Sequence, residues 1–429
     1  MARHDQATDG EAIRTVSYLL SMYPEFHETF VAREVEALRR TGADIAVYSL
    51  KAPAGAEHDL YPEHRAFLHQ AGFLLDRRVL AANALQFVTS PVRYLSAIGM
   101  LIGLYRKRPA ELVKALASFP KTVLFARSIR ARGGILHAHW ATIPAAMGLV
   151  INRLTSVPLS LTAHAWDIFL TPEDELRYKI ARVNGVVTCT GFNVDHLKCL
   201  ADAGDRDKIR LNYHGLDLAR FEDRPAADAA RANGGERPPL RALAVGRLVE
   251  QKGFVHMIRA LKRMTGVGVE LAIIGEGPLR QALEDEAKGL PDGVAVHFLG
   301  RRSHDETLRR MAEADVFVAP SVIAGNGDRD GIPNVILEAM ASGAAIVGTA
   351  VSGIPEVVLD GETGLLIAPG EPEAIAEALR RLAEDPDARR RMGGKARRFV
   401  VERFDMDGNI DEFLGFLAEF HTAEPSAGP

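Results

Sequence analysis

The sequence predicts a two-domain α/β protein in which each domain holds a parallel sheet covered by helices. Its 429 residues suit two domains of about 200, each able to bury its own core. Short apolar runs alternate with amphipathic segments, the spacing of strands joined by crossover helices. Between two such series lies a stretch rich in Ala, with Asn-Gly-Gly and Pro-Pro elements. We therefore predict domains at 1–218 and 240–402, a linker at 219–239, and a C-terminal helix and tail at 403–429.

The composition indicates a cytoplasmic protein. Its two cysteines, Cys189 and Cys199, provide no disulfide framework, and reduced thiols are expected. The first twelve residues are polar and acidic, unlike a secretory signal. No apolar run approaches the roughly 20 residues that a membrane-spanning helix needs. We expect no spanning helix.

The first domain shows strand and helix patterns in turn. Strands are predicted at 14–21, 43–50, 135–139, 159–163, 186–190 and 209–212, and helices at 28–40, 144–153, 173–181 and 193–202. Such alternation implies a parallel sheet with both faces covered. Ligands of these sheets bind beyond the carboxyl ends of the strands, so polar residues that follow a strand are candidates for a site.

The segment 77–132 interrupts this alternation and is strongly basic. It contains eleven basic residues and one acid, Glu111, in a chain whose formal net charge is −4. Helices are predicted at 92–105, 112–119 and 123–129, lying on a surface. Long apolar side chains stand beside the cations: Leu95, Ile98, Met100, Leu101, Ile102 and Leu104. Apolar insertion combined with attraction of cations favours binding to an anionic bilayer over a merely solvated helical face.

Two stretches with histidine follow or end strands of the first domain. His137 and His139 alternate along one strand and so share a sheet face, which suits a metal, but no third ligand stands at a recognisable spacing. Imidazoles that are hydrogen-bonded within the fold are the preferred interpretation. His164 follows another strand and precedes Asp167 by three residues, close enough for the carboxylate to orient the ring.

The second domain repeats the pattern. Strands are predicted at 241–245, 270–274, 294–299, 316–320, 345–348 and 365–367, and helices from Phe254, at 333–342, 373–382, 386–398 and 406–420. Arg247 and Lys252 lie in a glycine-bounded loop between a strand and a helix. A guanidinium and an ammonium group there can hold a diphosphate.

The stretch 330–343 predicts a short helix whose start binds a ligand. Pro333 suits the first helical position and Gly343 the stop. The unpaired N–H groups and the partial positive charge at the start of a helix favour a phosphate or sugar hydroxyls. Helical side chains lean towards the N-terminus, so Glu338 is predicted to lie near Asp330 at the same mouth.

These motifs, with 345–348, 353–356 and 361–366, resemble the donor-site signature of retaining glycosyltransferases of family four. The resemblance implies the GT-B fold, two Rossmann-like domains whose parallel sheets face each other across a cleft, and a last helix that returns to the first domain. The signature normally has glutamate at both acidic positions. Asp330 departs from it and shortens the reach by one methylene, which affects contacts with the sugar or the choice of donor.

The resemblance also implies roles for individual residues. Glu338 would bind the ribose, Arg247 and Lys252 the diphosphate, and His164 a hydroxyl of the transferred sugar. Asp330 would bind the sugar together with the start of the helix, which consists of Gly331, Ile332, Pro333 and Asn334. The nucleotide would contact the strand-end loops at Gly246, Glu276 and Gly277. The glycine-free first loop resembles that of members assigned to exopolysaccharide assembly, which implies that Glu28 and Thr29 face the cleft. Alternatively, Glu28 only stabilises the positive end of the helix. His139 and Asp167 are further candidates for the acceptor side of the cleft.

The function so implied is transfer of a sugar from a UDP- or GDP-sugar to a saccharide, which the basic segment suggests is lipid-linked, in cell-surface polysaccharide synthesis. We expect peripheral binding at the inner membrane surface, no nucleic-acid partner, no cofactor and no metal. One alternative is a GT-A enzyme, because Asp328 and Asp330 are spaced like its manganese ligands. Others are a GT-B sugar-nucleotide epimerase and an inactive scaffold of a polysaccharide assembly complex.

Overall fold

The structure is a computed structural model that describes residues 15–25, 29–52, 61–72, 76–221 and 238–421. Its chain divides into two compact units. The first consists of the residues up to 188, 196–212 and those from 409 onward, and the second of 189–195 and 213–408. Most of the predicted linker lies outside the described residues.

The first unit has seven strands. They are β1 (Thr15–Met22), β2 (Asp44–Lys51), β3 (Leu68–Gln70), β4 (Ile135–His139), β5 (Leu159–Ala163), β6 (Gly185–Thr188) and β7 (Ile209–Leu211). The helices along this part of the chain are α1 (Thr29–Arg40), α2 (Arg77–Thr89), α3 (Pro91–Tyr105), α4 (Pro109–Arg132), α5 (Ile143–Thr155), α6 (Ala165–Phe169), α7 (Glu173–Ile180) and α8 (Gly191–Leu200). The strands form one parallel sheet in the order β3-β2-β1-β4-β5-β6-β7. Val16 in the centre pairs with Ile45 and Ile135 and is fully buried.

The sequence predicted two surface helices where the structure has the single helix α4. It is one 24-residue helix that continues through Pro120, whose missing N–H removes a helical hydrogen bond. Packing compensates for that loss. Val123 and Ile129 are fully buried, and Asn83 of α2 donates its side-chain N–H to the Pro120 carbonyl at 2.9 Å. Helix α4 is therefore a core helix of the first unit, whereas α2 and α3 carry most of the exposed apolar residues.

The second unit has six strands. They are β8 (Leu240–Val245), β9 (Val269–Ile274), β10 (Val294–Gly300), β11 (Val316–Ala319), β12 (Ala345–Thr349) and β13 (Gly364–Ile367). The remaining helices are α9 (Phe254–Leu261), α10 (Arg280–Glu286), α11 (His304–Glu313), α12 (Asn334–Ala341), α13 (Pro372–Glu384), α14 (Pro386–Arg403) and α15 (Met406–His421). The strands again form one parallel sheet, in the order β10-β9-β8-β11-β12-β13. The predicted fold class, α/β with two parallel sheets, is confirmed.

Several details differ from the sequence prediction. Pro333 caps α12 with an extended ψ of 125° rather than occupying its first turn. Gly343, at φ 83°, follows the helix as predicted. Cys189 is buried just beyond β6 rather than inside a strand, Cys199 is exposed, and neither forms a disulfide.

The end of α15 belongs to the first unit. There the ring of Phe413 lies edge-on to His137 with 5.0 Å between ring centroids. A side chain at Gly185 would collide with the rings of Phe416 and Phe420, at 2.5 Å from each. This last segment thus covers the first sheet at β4 and β6.

Candidate functional site

A lysine–aspartate pair lies at the carboxyl ends of the strands of the second unit. After β8 the chain makes a short 3-10 turn at Glu250–Lys252 and enters α9 through Gly253. Gly253 has φ 64°, and a Cβ there would lie 1.8 Å from the Pro320 carbonyl oxygen, so only glycine fits. This close approach holds the loop after β8 against the one after β11. Lys252 Nζ consequently reaches Asp330 Oδ1 at 2.7 Å.

Both oxygens of Asp330 are bound by donors of the protein. Lys252 contacts Oδ1, and the hydroxyl of Ser321 donates to Oδ2 at 2.7 Å. The side chains of Lys252 and Asp330 remain 17% and 15% exposed. An ammonium group has three donors, so this lysine can bind a second anion without leaving its aspartate. Ser321 carries no motif that would have predicted this contact.

Asp328 lies in the same electrostatic environment. Its Oδ2 accepts a hydrogen bond from Gln251 Nε2 at 2.7 Å. Burial raises the pKa of Asp328, and Asp330 raises it further, while Arg247 and Lys252 lower it. The two predicted cations and the Asp-Arg-Asp stretch therefore share one local field. Gln251 was not among the predicted site residues.

The predicted glycine loops are needed for packing of one loop on another. Gly275 has φ 145°, and a Cβ there would lie 1.9 Å from the Gly246 carbonyl oxygen. A Cβ at Gly277 would lie 2.5 Å from the Leu248 oxygen. Glu276 points outward, where its carboxylate accepts from Arg280 at 3.0 Å. The glycines thus bring the ends of β8 and β9 together, and contacts with a nucleotide stay a prediction.

Glu338, the second predicted acid, lies inside α12, and its closeness to Asp330 stays a prediction. It is only 3% exposed, in the second turn of α12, and its Oε1 lies 3.9 Å from Nε2 of His304. His304 is the first residue of α11 and is about one-third exposed. Its pairing with Glu338 joins residues 34 positions apart, which the local pattern of the sequence does not indicate.

Residues 331–334, which lead from Asp330 into α12, differ in burial. Ile332 is buried in the core of the second unit, so its side chain anchors the loop. Gly331, Pro333 and Asn334 are partly exposed. The start of α12 is thus accessible to solvent, as a helix N-terminus that binds an anion must be.

In the first unit, Asp167 holds the backbone and not the His164 ring, contrary to the prediction. Its carboxylate accepts from the N–H of His164 at 2.7 Å and from the N–H of Ala141. His164 caps α6, and its side chain accepts in return from the N–H of Asp167. Burial raises the pKa of Asp167 to about 7, against the opposing effect of these hydrogen bonds and of Lys179.

The two histidines of β4 are hydrogen-bonded within the fold, as preferred from the sequence. His137 bonds to the hydroxyls of Ser160 and Thr162, both at 2.8 Å. Burial lowers the pKa of His137 to about 3, which keeps it neutral. His139 Nε2 lies 3.0 Å from Oε1 of Glu34 and its Nδ1 lies 3.3 Å from Nε2 of His164.

Glu34, like Gln251 and Ser321, was not among the predicted site residues. It lies on α1, and one of its oxygens comes within 4.8 Å of ligand nitrogens of His137 and His139. Its position one turn after Phe30 and Val31, on the apolar side of the helix, was the available signal. Of the predicted residues in this region, Glu28 lies outside the described residues.

Helices α2 and α3 present an apolar surface to solvent. The most exposed side chains are Val88 and Val92, at 76% and 78%, on either side of the bend between the helices. Leu101 was expected on this surface but is fully buried. Among the described helices none is by itself long and apolar enough to cross a membrane. Helices α2 and α3 together meet that test, although the chain bends by 112° between them.

The comparisons with other proteins identify a family. The family described as Glycosyl transferases group 1 matches residues 228–399. The putative colanic acid biosynthesis glycosyltransferase WcaL of Escherichia coli (strain K12) is 34% identical over 176 residues, 41% of this chain and 42% of WcaL. The lipopolysaccharide core biosynthesis glycosyltransferase LpsE of Rhizobium meliloti (strain 1021) is 30% identical over 261 residues, 58% of this chain and 72% of LpsE. The match thus spans less than half the length of WcaL.

Solved structures agree on the fold. The structure of Anabaena Alr3699/HepE in complex with UDP superposes with a TM-score of 0.70 at 18% identity, covering 95% of this chain and all of that one. At such low identity the likeness shows architecture alone. That architecture is GT-B, as predicted.

Proposed function

The chain belongs to the group 1 glycosyl transferases, and we propose that it moves a sugar from a nucleoside diphosphate sugar to a saccharide with retention of configuration. The observation that carries this proposal is the Lys252–Asp330 pair at the carboxyl ends of the second sheet, with Arg247 in the same field. Phosphate groups are bound by such convergent cations. In this proposal Glu338 binds the ribose.

The reaction needs charge stabilisation more than a protein base. The bond between the anomeric carbon and the diphosphate oxygen breaks, the acceptor oxygen bonds to that carbon, and the acceptor proton passes to the leaving phosphate. Negative charge then develops on the diphosphate, where Arg247 and Lys252 stabilise it. Lys252 keeps its bond to Asp330 and uses a second N–H for the phosphate.

A metal is unnecessary in this proposal. The GT-A alternative needs free carboxylates at Asp328 and Asp330, but Gln251 binds the first, and Lys252 and Ser321 bind the second. Turnover should therefore survive EDTA. Loss with chelator and rescue by manganese would favour the metal-dependent alternative.

The donor can be identified by thermal shift. A ligand at a hundred times its dissociation constant stabilises a protein by about 2.7 kcal/mol. Since Anabaena Alr3699/HepE was solved with UDP, we propose a UDP-sugar first, with GDP-sugars as the second group. In a panel of UDP-sugars and GDP-sugars, only the sugars attached to one of the two nucleotides should raise the melting temperature of the protein. Binding of a donor without its hydrolysis or transfer would indicate the inactive scaffold instead, and interconversion of two sugar nucleotides an epimerase.

We further propose that the acceptor is a lipid-linked saccharide and that α2 and α3 rest on an anionic membrane. Val88 and Val92 are the apolar contacts at the bend, and the exposed Arg93, Arg106 and Lys107 supply charge. Each basic residue near an anionic surface contributes about 1 kcal/mol. The similarity to WcaL, a putative colanic acid biosynthesis glycosyltransferase, supports an acceptor in exopolysaccharide synthesis.

Vesicle co-sedimentation tests this surface. The triple variant Arg93→Glu, Arg106→Glu and Lys107→Glu should lose binding to vesicles with anionic lipid, and Val88→Ser with Val92→Ser should weaken it. Arg108 is left unchanged because it pairs with the buried Glu175, so its replacement would disturb the fold. Val401→Ser, at an exposed apolar position of α14, is the control. Equal pelleting with neutral and anionic lipid would contradict the proposal.

A further inference from the structure

A continuous chain of polar contacts runs through the first unit from α1 to the start of α6. The hydroxyl of Tyr18 donates to Glu34 Oε1 at 2.7 Å. The same oxygen lies 3.0 Å from His139 Nε2, and His139 Nδ1 lies 3.3 Å from His164 Nε2. Glu34 comes from a helix more than one hundred residues earlier in the chain than His139. We propose that Glu34 is a positioning residue that sets, through His139, the tautomer and orientation of the His164 ring.

The hydrogen-bonding roles follow from what each group can do. An ionised carboxylate only accepts, so His139 must carry its proton on Nε2. The Nδ1 of a neutral His139 is then an acceptor, and the facing Nε2 of His164 carries the proton. Each contact thus fixes the next tautomer, and all agree.

The ionisation that this chain needs is supported by the surroundings of Glu34. Burial opposes the charge, but His139 and the Tyr18 hydroxyl, which both contact the carboxylate, hold the pKa of Glu34 at about 2. Glu34 remains 14% exposed and His139 is fully buried. His139 is therefore placed to transmit the orientation from Glu34 to His164 and has no surface for a substrate.

The consequence for the reaction rests on the proposed function and on the role that the family resemblance implies for His164, which is donation of a hydrogen bond to a hydroxyl of the transferred sugar. The 3.3 Å contact of its Nε2 with His139 exceeds the usual 2.7–3.2 Å of a strong hydrogen bond, so the proton can be shared with a hydroxyl. Without Glu34, His139 can place its proton on Nδ1. His164 Nε2 would then become an acceptor, and the donor to the sugar would be lost.

A cation bound by Glu34, His137 and His139 is the competing interpretation, since their ligand atoms lie within 4.8 Å of one another. Both nitrogens of His137, however, bond to the hydroxyls of Ser160 and Thr162. A cation would have to break one of these buried bonds. The positioning chain leaves all of them intact.

Long-range ¹H–¹⁵N correlation spectra of histidine-labelled protein read the tautomers directly. Signals are assigned with His139→Gln and His164→Gln. In the wild type we expect both rings to carry the proton on Nε2. Glu34→Leu should remove that preference at His164, whereas Glu34→Gln, which keeps an accepting oxygen, should retain it. Glu36→Leu, on the exposed side of the same helix, is the matched control.

The outcomes separate the two proposals. An Nδ1–H tautomer of either ring in the wild type, an unchanged His164 in folded Glu34→Leu, or displacement of the His137 signals by added zinc would overturn the positioning role. If Glu34→Leu does not fold, the wild-type and Glu34→Gln spectra still show whether His139 and His164 carry their protons on Nε2. In turnover, Glu34→Leu should lower kcat about 10-fold with little change in the donor KM, which corresponds to the loss of roughly one hydrogen bond in the transition state, and Glu34→Gln should keep the wild-type kcat. Full activity of His164→Gln would refute the role of His164 in transfer while leaving the tautomer result valid.

Discussion

The two units use their polar groups in opposite ways. In the first unit His137 and His139 are fully buried, and both nitrogens of each ring face partners in the same unit. In the second, Lys252 and Asp330 stay partly exposed where strands end. A buried, satisfied network stabilises a fold, whereas a partly exposed pair keeps donors for a ligand. A substitution at His137 should therefore change stability, and those at the second pair should change turnover.

The largest effect is expected at the cations of the second unit. Arg247→Ala and Lys252→Ala should each lower kcat about 100-fold or more, because removal of one group that stabilises developing charge costs roughly that factor. The donor KM should rise much less, and thermal unfolding should stay close to that of the wild type. Lys262→Ala, at an exposed lysine paired with Glu286, is the control. Kinetics equal to this control would refute the diphosphate role.

The next largest effect is expected for Glu338→Gln. This variant should lose donor affinity by roughly 10-fold or more, since a hydrogen bond to a charged group contributes about 1.5–3 kcal/mol. Glutamine keeps the volume of this buried side chain, so the fold should be retained. Donor titration by calorimetry measures the change. Glu362→Gln, at an exposed position, should bind as the wild type does, and an equally unaffected Glu338→Gln would remove the ribose role.

Asp330→Glu should have a smaller effect. The added methylene moves the carboxylate relative to Lys252 and Ser321, both of which lie 2.7 Å from it now. We expect a folded enzyme whose relative rates with different sugar nucleotides are altered. Competition between two donors measures this preference. Failure to fold would show that this loop serves the structure and not the donor.

An effect of a different kind, on the pH dependence of stability, is expected in the first unit. His137 has an ordinary pKa of 6.5 when unfolded and about 3 when folded, so below pH 6.5 the unfolded state binds a proton that the folded state does not. Wild-type stability should therefore fall by about 1.4 kcal/mol per pH unit relative to His137→Gln between pH 6.5 and 3.

Both tryptophans, Trp140 and Trp166, lie in the first unit. Denaturant unfolding followed by their fluorescence at pH 7 and pH 5 thus reports on that unit. A difference between wild type and variant that is the same at both pH values would mean that His137 is protonated in the fold, which would contradict its neutral burial.

The sequence by itself determined most of the strands and helices, the two parallel sheets and the positions of Arg247, Lys252 and Asp330 in loops that follow strands. These features depend on local periodicity and on turn residues such as Gly253 and Gly343, which act over a few neighbours. Strand β3 and helices α2, α6, α10 and α11 were not predicted. Where local signals conflicted, as at Pro120 in α4, packing decided.

Only the tertiary structure decided which polar groups meet. The Lys252–Asp330 bond joins residues 78 positions apart, and the His139–Glu34 contact spans 105. No local pattern specifies such partners, because they come together when separate strands and helices pack. The same packing placed Asp167 against backbone N–H groups instead of the His164 ring. A buried carboxylate needs donors from any direction, and the fold determines which ones are within reach.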